Sequence, residues 1–211
     1  MEVQGNPMRN MVEVLEQLEK TVRSENHKVD LQLISHACNL GAQFASSFFE
    51  GFFEYGAVEI EDKAKNLKEA ATKYITVEAM LDYEISNGLA RNNNSHTRFL
   101  LRVKRSADLL RVFFQGILAR EGDSLVPPLR KAYDEVFGAY HGVNTKSAVY
   151  SSMEIMELLV DKTDFFHLID NNATTAREVM QRYISASTCV CQHAEQLYRS
   201  TKVGEELLRM I

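Results

Sequence analysis

Proline is almost absent from the first 126 residues of this chain. The 211-residue sequence contains 3 Pro, at Pro7 and at the pair Pro127–Pro128, and 10 Gly. Because proline removes a backbone donor and clashes with the preceding helical turn, long stretches without it can stay helical. Leu, Ala, Glu, Lys and Met, which favour helices, are well represented. The sequence therefore predicts an all-helical fold.

Apolar residues recur at helical spacing along eight segments. Asn87-Gly88 ends the third segment, where Gly adopts the left-handed cap, and Ser95 is suited to the N-cap of the fourth. No repeat or linker separates the segments, so we expect one domain over residues 1–211, built as a two-layer sandwich of about eight helices. The segments are 8–23, 29–55, 57–86, 95–120, 126–137, 143–160, 164–168 and 173–202.

Charge, cysteine content and hydropathy exclude several classes of protein. The formal net charge of −5 argues against binding nucleic acid. Three cysteines, an odd number, argue against a disulfide framework and favour a reducing compartment. No run of about 20 apolar residues is present, so we expect a soluble cytosolic protein. The sequence contains no nucleophile–base pattern, Gly-rich phosphate loop or HExxH motif, so no enzyme, cofactor or metal site is predicted.

The fourth segment combines charge and apolar residues on one face. At 100° per residue, Arg98, Arg102 and Arg105 fall within about 60° of one another, and Leu109 and Phe113 continue the same stripe. An ordinary surface helix keeps such residues on opposite faces. Carboxylates or solvent could satisfy the guanidinium groups, or the face could bind an oxyanion, which matches the arginine fork. From the pattern alone the two interpretations are equally supported.

Other candidate residues allow more than one interpretation as well. The phenylalanines between residues 44 and 53 form a central core helix, line an internal apolar cavity, or do both. Glu59 and Lys63, at i and i+4, have the spacing of a surface ion pair. His141 precedes the sixth segment and suits a capping or core-edge position.

Three sequence blocks, in order and spacing, resemble those of the glycolipid transfer protein family. They are SHTRFLLRVKR at 95–105, SHAC at 35–38 and VFGAYHG at 136–142, and the resemblance extends over about residues 10–200. Within the family, the blocks are most similar to the plant accelerated-cell-death type of ceramide-1-phosphate transfer protein. The resemblance implies a helical sandwich that encloses an apolar lipid tunnel, carries one sphingolipid between membranes without catalysis and takes part in regulating programmed cell death.

The resemblance also implies a head-group site. By their match to family positions, Lys63, Arg98 and Arg102 are expected to bind a phosphate, and Glu59 and His141 to bind the amide of the lipid. Arg105 is a further candidate contact. A phosphate is favoured over a sugar because the chain has no Trp to stack on a sugar ring. The expected partners are a ceramide-1-phosphate-like lipid and, transiently, a membrane surface; we expect a monomer and leave any protein partner unidentified.

Two positions depart from the family pattern. The family usually has Asp where this chain has Glu59, and Trp where it has Val143, a change expected to alter packing behind the head-group site. These departures keep two alternatives open beside a phosphate-selective carrier. One is a glycolipid carrier, and the other is a sphingolipid sensor or scaffold with weak transfer activity. A helical adaptor that binds no lipid is a third interpretation.

Overall fold

A computed structural model describes residues 6–25, 28–49, 54–120 and 122–210, and leaves the side chains of residues 49 and 54–59 outside the description. The described residues form helices and one isolated β-bridge, which confirms the all-α prediction. The helices are α1 (Pro7–Arg23), α2 (Leu31–Phe49), α3 (Glu54–Lys73), α4 (Val77–Ser86), α5 (His96–Leu118), α6 (Val126–Val136), α7 (Val143–Leu159), α8 (Lys162–Ile169), α9 (Ala173–Arg199) and α10 (Gly204–Leu207).

Five long helices surround the centre of the molecule. α1 packs against α2 and α9, α2 packs against α3, and α5 packs against both α3 and α9. Each presents an apolar stripe to the core, as Met8, Met11, Leu15 and Leu18 do on α1. α6 lies against α5, and α8 lies against α9 and α2. The interior is therefore bounded by side chains from elements far apart in sequence.

One predicted helix divides in two. The segment 57–86 was expected to be continuous, but α3 ends at Lys73 and α4 begins at Val77. In between, the Ile75 carbonyl accepts a hydrogen bond from Leu31 N at 3.1 Å, and Val77 N donates to the Val29 carbonyl at 2.9 Å. This bridge to the start of α2 takes backbone groups that a continuous helix would use. Together with the short α10, the division gives ten helices in the described part instead of about eight.

The beginning of α5 is fixed by buried oxygen atoms. Ser95 Oγ accepts from Arg98 N at 3.1 Å, which confirms the predicted N-cap. The buried Glu84 carboxylate accepts from His96 N at 3.0 Å and Thr97 N at 2.8 Å. Backbone N–H groups at a helix start have no partner within the helix, and a carboxylate there also interacts favourably with the helix dipole. α4 therefore holds the end of α5 that carries the first arginines.

The other end of α5 approaches α6 closely. A Cβ atom placed on Gly116 would lie 2.7 Å from Pro128 Cβ, so only glycine allows this spacing. Pro128 lies in the first turn of α6, where a missing N–H has no cost. This contact positions α6 and the turn that follows it, which contains His141.

Glu84→Gln should destabilise the protein, because an amide offers one acceptor where the carboxylate offers two and also removes the charge. We expect a loss of about 1–3 kcal/mol in the free energy of unfolding, measured by chemical denaturation. Asp82→Asn, the same change at an exposed position of α4, is the matched control. Equal effects of the two substitutions would contradict the capping role of Glu84.

His96 should make stability depend on pH. Burial lowers the pKa of His96, and the Lys73 charge lowers it further, against the raising effects of Glu84 and Glu69. Protonation is therefore harder in the folded state, so stability is full above pH 6.5 and declines as the pH falls below it. The denaturation midpoint should fall between pH 7.5 and pH 5.5, and it should fall less in His96→Gln than in the wild type. The midpoint of His36→Gln, a change at an exposed position, should fall as much as that of the wild type. An equal fall in the His96 variant would refute the role of His96 in the pH dependence.

Candidate functional site

A largely apolar cavity of about 200 Å³ lies inside the ring of long helices. Its walls come from α1, α2, α3, α5, α6 and α9. Of the residues that lie on the walls, those with hydrocarbon or aromatic side chains include Leu15, Leu18, Phe44, Phe48, Leu100, Leu109, Phe113 and Tyr183. The prediction that part of the phenylalanine cluster lines an internal cavity is therefore confirmed for Phe44 and Phe48.

An aromatic cluster closes one side of the cavity. The Phe165 ring, fully buried on α8, lies 5.1 Å from the Phe48 ring centroid and 5.4 Å from the Phe113 ring centroid. Both of those neighbours line the cavity. Phe165 could not be identified from the sequence, because its segment is too short for periodicity to show which residues face the core.

Lys63 brings a positive charge to the cavity wall. Its side chain is 5% exposed, and its Nζ donates to Ser106 Oγ at 3.2 Å. Lys63 and Ser106 both line the cavity. The interpretation of Glu59 and Lys63 as a surface pair is therefore wrong for Lys63, which points inward. Burial raises the pKa of the neighbouring Cys38 thiol to about 12, and the Lys63 charge opposes that rise.

Arg98 and Arg102 lie one helical turn apart near the start of α5. Arg98 donates to the Asn93 side-chain oxygen, and the Arg102 guanidinium lies 5.4 Å from the Phe99 ring centroid. Burial lowers the pKa of Arg98, and the charge of Arg102 lowers it further. The charged form of Arg98 is thus disfavoured where it lies, and a bound anion would offset both effects.

Other cations of the same helix are neutralised within the fold. Lys104 lies 2.8 Å from Asp108, and Arg111 lies 3.0 Å from the same carboxylate. One carboxylate of α5 therefore neutralises two cations of the same helix, neither of which belongs to the arginine stripe of the sequence analysis.

Arg105 is held by the end of the chain. Its guanidinium donates to the Leu208 carbonyl at 2.7 Å and to the Met210 carbonyl, and lies 4.0 Å above the Tyr140 ring. The side chain is 5% exposed. The sequence stripe placed Arg105 beside Arg98 and Arg102 as a candidate ligand contact, but backbone oxygens about 100 residues away occupy it. Arg105 therefore holds the segment after α9 against α5.

His141 lies among aromatic residues of α6 and the turn that follows. Its Nδ1 is 2.7 Å from the Tyr133 hydroxyl, and its ring stacks on Phe137 with centroids 5.3 Å apart. The preceding residue, Tyr140, packs on Arg105 and so ties this turn to α5. The contact of Tyr133 with the imidazole could not be identified from the sequence, although Tyr133 lies just before the VFGAYHG block that contains His141.

The structure links Lys63 to the backbone of the α5 turn that carries Arg102. Lys63 donates to Ser106, whose hydroxyl donates to the Arg102 carbonyl at 3.1 Å. Arg98 lies one turn earlier on α5, and His141 lies in the turn after α6. The side chain of Glu59 lies outside the described residues. No group of three or more His, Cys, Asp or Glu side chains suited to a metal ion occurs in the described ranges.

Arg105→Met should release the segment after α9. Because two carbonyls lose charged donors and Tyr140 loses its cation, we expect faster amide hydrogen exchange at residues 204–210, measured by mass spectrometry. Arg91→Met removes an exposed ion pair with Glu206 in the same segment and should change exchange far less, since such pairs contribute about 0–1 kcal/mol. Equal exchange in the two variants would show that Arg105 does not hold the segment.

Known proteins resemble this chain in both sequence and fold. The family model described as Glycolipid transfer protein (GLTP) matches residues 29–171. Accelerated cell death 11 of Arabidopsis thaliana is 30% identical over 199 residues, which cover 94% of this chain and 95% of that protein. A crystal structure of an Arabidopsis accelerated-cell-death 11 mutant complexed with C12 ceramide-1-phosphate superposes with a TM-score of 0.87 at 30% identity, covering 94% of this chain and 98% of that one.

A more distant structure shows the fold alone. The human ceramide-1-phosphate transfer protein in complex with 12:0 ceramide-1-phosphate is 18% identical, with a TM-score of 0.78 and coverage of 95% of this chain and 98% of that one. These matches confirm the predicted layered helical fold. Given the extent of the family match and the full-length similarity to a plant relative, this chain belongs to the glycolipid transfer protein family of lipid carriers.

Proposed function

We propose that this protein binds one sphingolipid with a phosphate head group, of the ceramide-1-phosphate class, and carries it between membranes. The observation that carries the proposal is the position of Lys63 and Ser106 on the cavity wall. They join an apolar interior to the Arg102 turn of α5. A cation cluster at one side of an apolar cavity suits a ligand with an anionic head and hydrocarbon chains. The ceramide-1-phosphate complex of the plant relative supports the same ligand class.

The hydrocarbon chains make a carrier necessary. Exposing about 30 methylene groups to water costs on the order of 20–25 kcal/mol at roughly 0.8 kcal/mol each. Spontaneous desorption from a membrane is therefore extremely slow. A protein that replaces the membrane with side chains such as Phe44, Phe48 and Leu109 removes most of this barrier.

The lipid chains would lie in the apolar cavity, which measures about 200 Å³. Helices α2, α5 and α9 form most of its walls. Side chains of these helices, such as Phe48, Leu109 and Tyr183, would contact the hydrocarbon.

A phosphate fits the polar end better than a sugar. Lys63, Arg98 and Arg102 supply charge-assisted donors, which are stronger than neutral hydrogen bonds. A neutral sugar prefers an aromatic face and amide groups, and the sequence contains no Trp. His141 and Glu59 are proposed to bind the amide region of the lipid, by their match to family positions.

We further propose transient docking on a membrane, from the cytosol and as a monomer. Val143 and Leu158 on α7 are 83% and 85% exposed, and Ile155 and Leu159 are exposed on the same helix. Val143 is therefore exposed, and the expected change in packing behind the head-group site stays a prediction. No helix among the described residues has the length and apolarity to cross a bilayer. The net charge of −5 favours weak, reversible contact with anionic membranes.

Arg102→Gln tests the proposal. Because a neutral amide loses the charge-assisted bond to phosphate, we expect transfer of fluorescent ceramide-1-phosphate between vesicles to fall by at least tenfold. Thermal unfolding should stay near that of the wild type, since Arg102 is only half-buried.

Arg111→Gln, on the same helix but paired with Asp108, is the matched control and should transfer at close to the wild-type rate. Undiminished transfer by the Arg102 variant would overturn the head-group assignment. Galactosylceramide in a parallel assay separates the glycolipid carrier from the phosphate carrier. Tight lipid binding without measurable transfer by the wild type would favour a sensor or scaffold.

A further inference from the structure

The hydroxyl of Ser106 has two partners that together determine its orientation. Ser106 Oγ lies 3.1 Å from the Arg102 carbonyl oxygen and 3.2 Å from Lys63 Nζ. A carbonyl only accepts, so the single hydroxyl hydrogen of Ser106 must be donated to Arg102. The ammonium group only donates, so Lys63 must donate to an oxygen lone pair of Ser106. No other arrangement satisfies both contacts.

This contact constrains a side chain that is otherwise flexible. Lysine has a four-carbon stem and three N–H donors, and it acts as a point charge that can move. Ser106 ties one of those donors to the same turn of α5 that carries Arg102. The charge of Lys63 is therefore held on the cavity wall, against the turn of α5 that carries Arg102.

We propose that Ser106 is a positioning residue that places the Lys63 ammonium for a phosphate head group and so contributes to lipid selectivity. This inference rests on the proposed function of the site. Ser106 acts through Lys63 and need not touch the lipid phosphate itself. Without the hydroxyl, Lys63 would lose its hydrogen bond to α5, and the position of its ammonium group would be less restricted.

A purely structural role for the hydroxyl is the competing explanation. Serines in helices often donate to the carbonyl four residues earlier, and Ser152 on α7 does so with Ala148 at 3.0 Å. Ser106 differs from Ser152 in that a buried cation donates to it. Ser152→Ala is therefore a matched control, with the same atoms removed and no lysine affected.

The first test compares two ligands that differ only in the phosphate. Ser106→Ala should weaken binding of ceramide-1-phosphate in neutral vesicles by about two- to tenfold, the range of a single hydrogen bond. Binding of ceramide with the same chains should not change. Ser106→Thr keeps a hydroxyl and should restore binding, while Ser152→Ala should resemble the wild type. Equal weakening for both lipids, or no weakening, would overturn the proposal.

A double-mutant cycle separates positioning from fold effects. If Ser106 acts through Lys63, then Ser106→Ala should have no further effect on ceramide-1-phosphate binding once Lys63→Met is present. A full, additive effect in that background would show that the serine acts independently of the lysine and would refute the proposal.

A lipid-free measurement distinguishes failure of this inference from failure of the proposed function. Acetylation of Lys63 by acetic anhydride, followed by peptide mass spectrometry, should be several-fold faster in Ser106→Ala and should return to the wild-type rate in Ser106→Thr. If the wild type binds neither lipid but Lys63 shows this pattern, the proposed function and the selectivity role fall while the positioning stands. An unchanged acetylation rate refutes the positioning whether or not lipid binds.

Discussion

An ammonium group against an apolar cavity is unfavourable unless protein oxygens replace the water that it has lost. Lys63 meets this requirement through Ser106, and Ser106 in turn depends on a carbonyl of α5. The position of the charge on α3 therefore depends in part on the position of α5. That helix is held by Glu84 and Ser95 where it begins and by the close contact of Gly116 with Pro128 near its end.

Cations of α5 have three different environments in one helix. Lys104 and Arg111 share the carboxylate of Asp108, and Arg105 is enclosed by backbone carbonyls and a tyrosine ring. Arg98 and Arg102 instead lie near each other, close enough for one charge to lower the pKa of the other. Burial and the charge of Arg102 both lower the pKa of Arg98, and an anionic ligand would relieve both effects.

Local features of the fold could be predicted from the sequence, and long-range ones could not. The Ser95 cap was predictable because capping needs only one side chain and the next turn. The break between α3 and α4 was not, because it depends on backbone pairing with Val29 and Leu31, more than 40 residues earlier. In the same way, the stripe placed Arg105 on the correct face, but its acceptors belong to a segment that no periodicity connects to α5.

The functional site shows the same contrast between local features, which the sequence predicts, and long-range contacts, which it does not. Family resemblance indicated Lys63, Arg98 and Arg102, and the structure links Lys63 to the α5 turn of Arg102 through Ser106, which the sequence offered no reason to select. A small polar residue on an apolar stripe is a weak signal, and its meaning appears only when a lysine from another helix reaches it. For Glu59 the assignment stays a prediction, since its side chain lies outside the described residues.

The unfilled interior also bears on how such a protein can change over time. At about 24 cal/mol per Å³, an empty space of about 200 Å³ lowers the stability of the fold by at most about 5 kcal/mol, and by less where the cavity is open to solvent. Larger side chains at wall positions such as Ala45 or Ala107 would recover part of that loss. Filling the interior would therefore exchange room for a ligand against stability of the fold.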